Sequence, residues 1–297
     1  MKLMSVYFSV FVLLSSCTRA GDHSFPDIKG YRLSQPDEKM VLPSVLHEIS
    51  GITTINDQTV ACVQDEKGVV FMYDLIKKQL VNELPFGDDG DYEGIAIHNQ
   101  DIYVLRSDGN IFELKGYPGT PLQARQYITG IPAKDNEGLC FDGEQGRLLI
   151  GSKSKIGKGP EFKDQRHIYS FELKAGKLSS NPAYVFDTKV INNLAKEKQL
   201  RLTEKKKKDG TVKKPEIAFR ISALAIHPVT GQLYLLSADD HMLFVIEPDG
   251  KITEMVVLDS QMFNKAEGIT FLSNGDMLIS NEGQHKKPSL LRFKYKP

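Results

Sequence analysis

Apolar residues along this chain fall into short alternating runs, broken by Gly, Asn and Asp, and one kind of run recurs. Its five copies are Ser50-Gly51-Ile52-Thr53-Thr54, Glu93-Gly94-Ile95-Ala96-Ile97, Glu137-Gly138-Leu139-Cys140-Phe141, Ser222-Ala223-Leu224-Ala225-Ile226 and Glu267-Gly268-Ile269-Thr270-Phe271. Each has Glu or Ser, then Gly or Ala, then Ile or Leu, a small residue and, in four of the five, a large apolar one. The copies start 43, 44, 85 and 45 residues apart. The doubled interval reads as an insertion, because LSSNPAYVFD near residue 180 lacks the pattern.

A turn and a second alternating run follow each copy: Thr59 to Val63, Asp101 to Leu105, Arg147 to Ile150, Gln232 to Leu236 and Asp276 to Ile279. Third runs are Val69 to Tyr73, Asn110 to Leu114, His167 to Leu173, Met242 to Ile246 and Ser289 to Tyr295. Weaker fourth runs cover Gln79 to Leu84, Gln123 to Thr129, Ala183 to Phe186 and Lys251 to Val257. Short strands with turn residues between them, at a period near 44, predict an all-β fold: a five-bladed β-propeller of four-stranded blades. The last blade lacks a fourth run, and Gly30 to Leu42 is strand-like with no blade of its own. This segment is predicted to supply the missing outer strand and close the ring, leaving no open edge.

Strand side chains alternate between faces, so large and small residues alternate across the repeated run. Inner strands of neighbouring blades converge at the propeller axis, where a large face packs only against a small one. Packing therefore explains the Gly, the Ile and the small residue. It does not explain the Glu.

Composition narrows the setting. The 297 residues carry 38 Lys+Arg against 38 Asp+Glu, which gives no whole-chain attraction for nucleic acid, and none is expected as a partner. Residues 1–16 read as a signal peptide, with Lys2, an apolar run from Val6 to Leu14 and small residues up to Cys17. Leu14-Ser15-Ser16-Cys17 resembles a bacterial lipobox, which makes Cys17 the expected lipid attachment site and 17–26 a tether to the propeller at 27–297. The expected location is the bacterial cell envelope, on a membrane and facing the periplasm or exterior, held by acyl chains and not by charge. Cys62 and Cys140 sit in apolar runs and read as small buried hydrophobes more readily than as a disulfide pair.

The candidate chemistry lies where the repeats coincide. Glu93, Glu137 and Glu267, with Ser50 and Ser222 in the other two blades, are predicted to ring one mouth of the central channel. Three unit charges about 6 Å apart at an effective dielectric of about 20 repel by roughly 3 kcal/mol per pair. Such a ring must hold a cation, hold protons or fill with water. An all-oxygen, carboxylate-rich set suits a hard ion, and Ca²⁺ best tolerates irregular coordination. The competing reading is that each Glu bonds backbone N–H groups from one blade to the next. Turns after the second strands add Asp65, Asp108, Asp239 and Glu282 as possible mouth residues, although Asp favours turns anyway. The insertion, about 188–216, is predicted to open with a short helix from Thr188 to Gln199, with Val190, Ile191 and Leu194 on one face, and then to carry Lys205 to Lys208. An earlier basic loop, Lys153 to Lys163, is expected to border a ligand cleft at the mouth. No G-x-S-x-G, H-E-x-x-H, C-x-x-C or phosphate-loop motif is present.

The segments LHEISGI, DYEGIAI, DNEGLCFD, RISALAIHP, KAEGITF and SNGDMLISNEG resemble the SdiA-regulated family of bacterial envelope proteins, which is distantly similar to NHL-repeat propellers. That resemblance implies a five-bladed propeller with calcium in the channel mouth and no settled activity. Two functions follow: a lipid-anchored, calcium-binding module for a protein or small-molecule ligand, and a calcium-dependent hydrolase of esterase, lactonase or phytase type.

Overall fold

The computed structural model describes residues 27–119, 121–202, 205–206, 212–213 and 215–297. The expected signal peptide, Cys17 and its tether lie outside the described residues, as does most of the Lys-rich stretch.

The five blades follow the five repeats. Blade 1 is built from Ile49–Asn56, Thr59–Gln64, Val69–Asp74 and Gln79–Pro85, and blade 2 from Tyr92–His98, Asp101–Arg106, Ile111–Lys115 and Gln123–Tyr127. Blade 3 has Asn136–Asp142, Arg147–Ser152 and Gln165–Glu172; two short strands, Lys177–Leu178 and Tyr184–Asp187, share the outer edge of Gln165–Glu172. Blade 4 comprises Ala223–Ile226, Leu233–Ser237, Met242–Ile246 and Ile252–Val257. Blade 5 takes Ala266–Phe271, Met277–Asn281 and Ser289–Phe293 from the carboxy-terminal end and its outer strand, Glu38–Val41, from the amino-terminal end. The predicted closure is thus present, in the antiparallel register Met40 to Leu290.

The core is divided among the blade interfaces. Ala61, Val63 and Met72 of blade 1 pack on Tyr92, Ile95 and Val104 of blade 2. From the same blade, Val60, Cys62 and Phe71 point the other way, to Met40, Leu278 and Leu290 of blade 5. Sheets covered on both faces need near-continuous apolar strands, which is why the second and third runs read VACV and VVFMY. Cys62 and Cys140 are buried free thiols, as their apolar settings suggested, and burial pushes the Cys62 thiol up to about 12.

Ring closure has a second lock inside Met40. Tyr31, 3% exposed, donates its hydroxyl to the Gly275 carbonyl at 2.5 Å. His227 meets the same hydroxyl through Nε2 at 2.7 Å, while its Nδ1 accepts the Val229 and Thr230 amides. With Tyr31 already donating, the hydrogen-bond pattern assigns the proton of a neutral imidazole to Nε2. Burial, which lowers the His227 pKa, favours that neutral form.

The insertion opens with α1, Thr188–Glu197, whose amino terminus is capped by the Asp187 carboxylate accepting the Lys189 amide. Its inward face is Thr188, Ile191 and Ala195; Val190 is 64% exposed, contrary to the expected face. At about 100° per residue, positions three and seven after Thr188 share its side and position two does not. Asn192 bonds both the N–H and the C=O of Ile217, drawing the returning chain against the helix.

The inner-strand glycines face the neighbouring blade at close range. A Cβ on Gly94 would lie 2.6 Å from Leu139 Cβ and 2.8 Å from the Glu137 carbonyl; one on Gly51 would lie 2.8 Å from Ile95 N. On Gly138 it would meet Leu224 at 2.8 Å. The alternation of large and small is therefore a blade-to-blade fit. Gly94→Ala is expected to destabilise the fold by about 1–3 kcal/mol through overpacking, read as a lower thermal midpoint; Gly116→Ala, where a Cβ meets nothing within 4 Å but φ is +100°, should act only through local backbone strain.

Candidate functional site at the channel mouth

One residue from each inner strand, Ile52, Ile95, Leu139, Leu224 and Ile269, forms an aliphatic collar across the channel. On one side of it lie Glu93, Glu137, Glu267 and Ser222; on the other the lining turns to Ile97, Phe141, Ile226 and Phe271. The Glu positions gather because of a bulge. In blades 2, 3 and 5 the inner ladder shifts register between Tyr92 and Gly94, Asn136 and Gly138, and Ala266 and Gly268, each time passing over the Glu. A residue left unpaired in this way is re-aimed relative to the sheet.

The ring is less exposed and less purely acidic than the repeats suggest. Glu137 and Glu267 are 5% and 7% exposed. Lys153, at the end of the second strand of blade 3, places Nζ 2.5 Å from Glu137 Oε1. Lys265, two residues before Glu267, places Nζ 3.1 Å from Glu267 Oε1 and 2.6 Å from Glu282 Oε2. Burial opposes charge on these lysines, but Glu137 and Glu267 keep Lys153 protonated, and Glu267 and Glu282 keep Lys265 so.

The two ammonium groups are too few for the carboxyls around them, since Lys265 also serves Glu282 and Asp91 acts on Glu93. Burial, then Asp91 and Glu267, raise Glu93 to about 8. Burial, then Glu267 and Glu93, raise Glu137 to about 10 in spite of Lys153, and burial raises Glu267. Glu93 makes no ion pair with either lysine, and with all three carboxyls raised the ring shares protons at neutral pH. Glu137 Oε2 is buried without a hydrogen-bond partner.

A second group of carboxylates stands at the mouth. Glu48, Asp65 and Glu282 bring one oxygen each within 4.8 Å of one another. Burial, then Glu48 and Glu282, raise Asp65 to about 6, and its buried Oδ1 has no partner. Two of these three, Asp65 and Glu282, are among the expected mouth residues; Glu48 is not.

The other expected residues are engaged in the scaffold. The Ser222 hydroxyl lies 3.2 Å from the Leu236 and Ala266 carbonyls and from the Ala238 amide. The Ser50 hydroxyl donates to the Glu48 carbonyl at 3.4 Å. Asp108 pairs with Arg106 at 2.7 Å and caps its own turn through Asn110. Asp239 pairs with Arg220 at 2.9 Å, while Asp240 beside it accepts the Ala218 and Phe219 amides.

Lys153 and Lys265 were legible as site residues only in part. Lys265 stands two before Glu267, on the same side of an extended chain. Lys153 becomes a neighbour of Glu137 once Asn136 is paired with Ser152, a register the repeat pattern does not state.

The SdiA-regulated family matches residues 178–285, from the outer edge of blade 3 through blade 4 to the last loop of blade 5. The chain is thus a five-bladed β-propeller of which residues 178–285 match the SdiA-regulated family. No curated protein matches it in sequence. Among solved structures, Myxococcus xanthus glutaminyl cyclase superposes with a TM-score of 0.56 at 14% identity, over 89% of this chain and 97% of that one. A streptogramin B lyase structure gives 0.47 at 14%, over 87% and 97%, and a nidogen/laminin complex gives 0.48 at 16%, over 78% and 72%. At these identities the likeness concerns the fold alone. Among the described residues no helix is long and apolar enough to cross a membrane.

The pH dependence follows from the raised ring carboxyls, of which Glu93 releases its proton at a lower pH than Glu137. A carboxyl raised in the folded state binds a proton that the unfolded chain has released, so its contribution is complete below about pH 4.5 and is lost as pH rises through about 8. Stability, read as the thermal midpoint, is expected to fall across that window, with a free-energy slope of up to about 1.4 kcal/mol per pH unit for one proton. Glu93→Gln should reduce the slope, leaving the part due to Glu137 and Glu267; an unchanged slope would mean that Glu93 does not titrate there.

Proposed function

We propose that this protein is a lipid-anchored propeller of the bacterial envelope, attached through Cys17, that binds Ca²⁺ at its channel mouth and presents that face to a ligand. The observation carrying the calcium reading is the set Glu48, Asp65 and Glu282, with oxygens within 4.8 Å and a buried, unpartnered Asp65 Oδ1. Three oxygen donors with no nitrogen or sulfur suit a hard cation. The inner ring of Glu93, Glu137 and Glu267 is the lesser candidate, because two of its three carboxylates pair with lysine, whereas in the outer set only Glu282 does, with Lys265, and Asp65 Oδ1 has no partner. Calcium at the outer set would offset the burial and the repulsion from Glu48 and Glu282 that raise Asp65, and it would link blades 1 and 5.

A calcium-dependent hydrolase of esterase, lactonase or phytase type is the second reading, and one observation favours it. A carboxyl at about 8, as for Glu93, is suited to giving and taking protons near neutral pH. That observation identifies no nucleophile and no substrate, so the binding module is the better supported of the two.

Calcium at about 100 times its dissociation constant is expected to stabilise the protein by about 2.7 kcal/mol in thermal melts. The shift should vanish in Glu48→Gln/Asp65→Asn and persist in Glu93→Gln/Glu137→Gln. Loss in the second pair alone would move the ion to the inner ring, and no shift in the unaltered protein would remove calcium from the reading. Turnover on an ester, lactone and phosphate panel, abolished by Glu93→Gln, would decide for the hydrolase.

A further inference from the structure

Beside the acidic mouth lies a cleft of opposite character. It has a volume of about 600 Å³ and is lined by Lys134, Lys153, Lys155, Lys158, Arg166 and Arg220, with Asp135 as its one carboxylate. Pro132 and Ile156 supply apolar wall. The basic loop expected to border a cleft, Lys153 to Lys163, does so here through Lys153 to Lys158.

Two of the six cations have acidic partners, Lys153 with Glu137 and Arg220 with Asp239. Among the described residues, Lys134, Lys155, Lys158 and Arg166 form no ion pair within 4 Å. Arg166 is the unusual one. It stands on the third strand of blade 3 opposite Phe186 and is 7% exposed. Its Nη1 donates to the Gln165 carbonyl at 2.8 Å and the Lys163 carbonyl at 3.4 Å, whereas Nε is buried with no acceptor. A guanidinium has five N–H donors, and buried charges are as a rule paired. Here a nearly buried cation lines a cleft with hydrogen-bonding capacity unspent, and three more unpaired cations line the same cleft.

We propose that this cleft binds a small organic anion, a carboxylate or phosphate ester with an apolar part, using Arg166 within and Lys155 and Lys158 at the rim. The apolar part would lie along Pro132 and Ile156. Planar pairing with a guanidinium suits both carboxylate and phosphate. The inference rests on the reading of the mouth face as the binding face, and not on calcium.

Isothermal titration of the full chain with phenyl phosphate and 3-phenylpropionate, against the neutral 3-phenylpropionamide, tests it in EDTA and again in excess Ca²⁺. At least one anion should bind and the amide should not, with affinity falling as salt is raised. Lys155→Gln/Lys158→Gln should weaken binding about threefold to tenfold, and Arg166→Gln at least tenfold. If Arg166→Gln fails to fold by circular dichroism, the exposed lysine pair still carries the test. Equal binding of the amide, no binding of either anion at millimolar concentration, or wild-type affinity in the lysine variant would overturn the proposal. Anion binding that persists in EDTA while calcium gives no thermal shift would leave the cleft standing and the calcium reading fallen; an intact calcium shift without anion binding would do the reverse.

Discussion

The whole molecule depends on how closely the inner strands approach one another at the axis. Gly94 abuts Leu139, Gly138 abuts Leu224 and Gly51 abuts Ile95, in each case with no room for a Cβ. Because every blade is held between two others, the apolar core lies in the interfaces, and a blade on its own would leave both faces uncovered. The same convergence brings five equivalent positions to one mouth. A side chain repeated there for any reason is multiplied by symmetry into a cluster, and its electrostatics must be settled by the surrounding residues.

At this mouth they are settled by three means. Lys153 and Lys265 bring positive charge to the buried ring, burial keeps protons on its carboxyls, and the outer set of Glu48, Asp65 and Glu282 has one lysine partner, Lys265 on Glu282. The basic cleft over blade 3 then shares Lys153 with the ring. The balance of 38 basic and 38 acidic residues therefore conceals two adjoining fields of opposite sign on one face. A field of this kind orients a polar ligand more readily than a uniformly acidic mouth would.

Closure is the other shared dependence. Glu38–Val41 completes blade 5, and Tyr31 and His227 fasten the segment before it against Gly275. The carboxylates Glu48, Asp65 and Glu282 come from blade 1, its approach and blade 5, and the chain leaving the closing strand meets them where the His47 carbonyl accepts the Gly283 amide, whereas the Tyr31 contacts lie at the opposite end of the channel. Stability at the seam and affinity at the mouth are expected to be coupled for that reason.

Fold and blade count were legible from residues alone, because strand period and turn chemistry are local and the 44-residue spacing repeats them five times. The convergence of Glu93, Glu137 and Glu267 was legible by the same symmetry, as was the closing strand, from a blade one strand short. What escaped were contacts made across the repeat or outside it. Glu48 stands two before a Ser position, Lys153 arrives through a hairpin register, and Arg166 shows no local sign that it would be buried beside a cleft. The sequence determined which residues repeat, since periodicity is a property of the chain. Only the tertiary structure decided which charges meet, since pairing depends on distances between blades that no local pattern encodes.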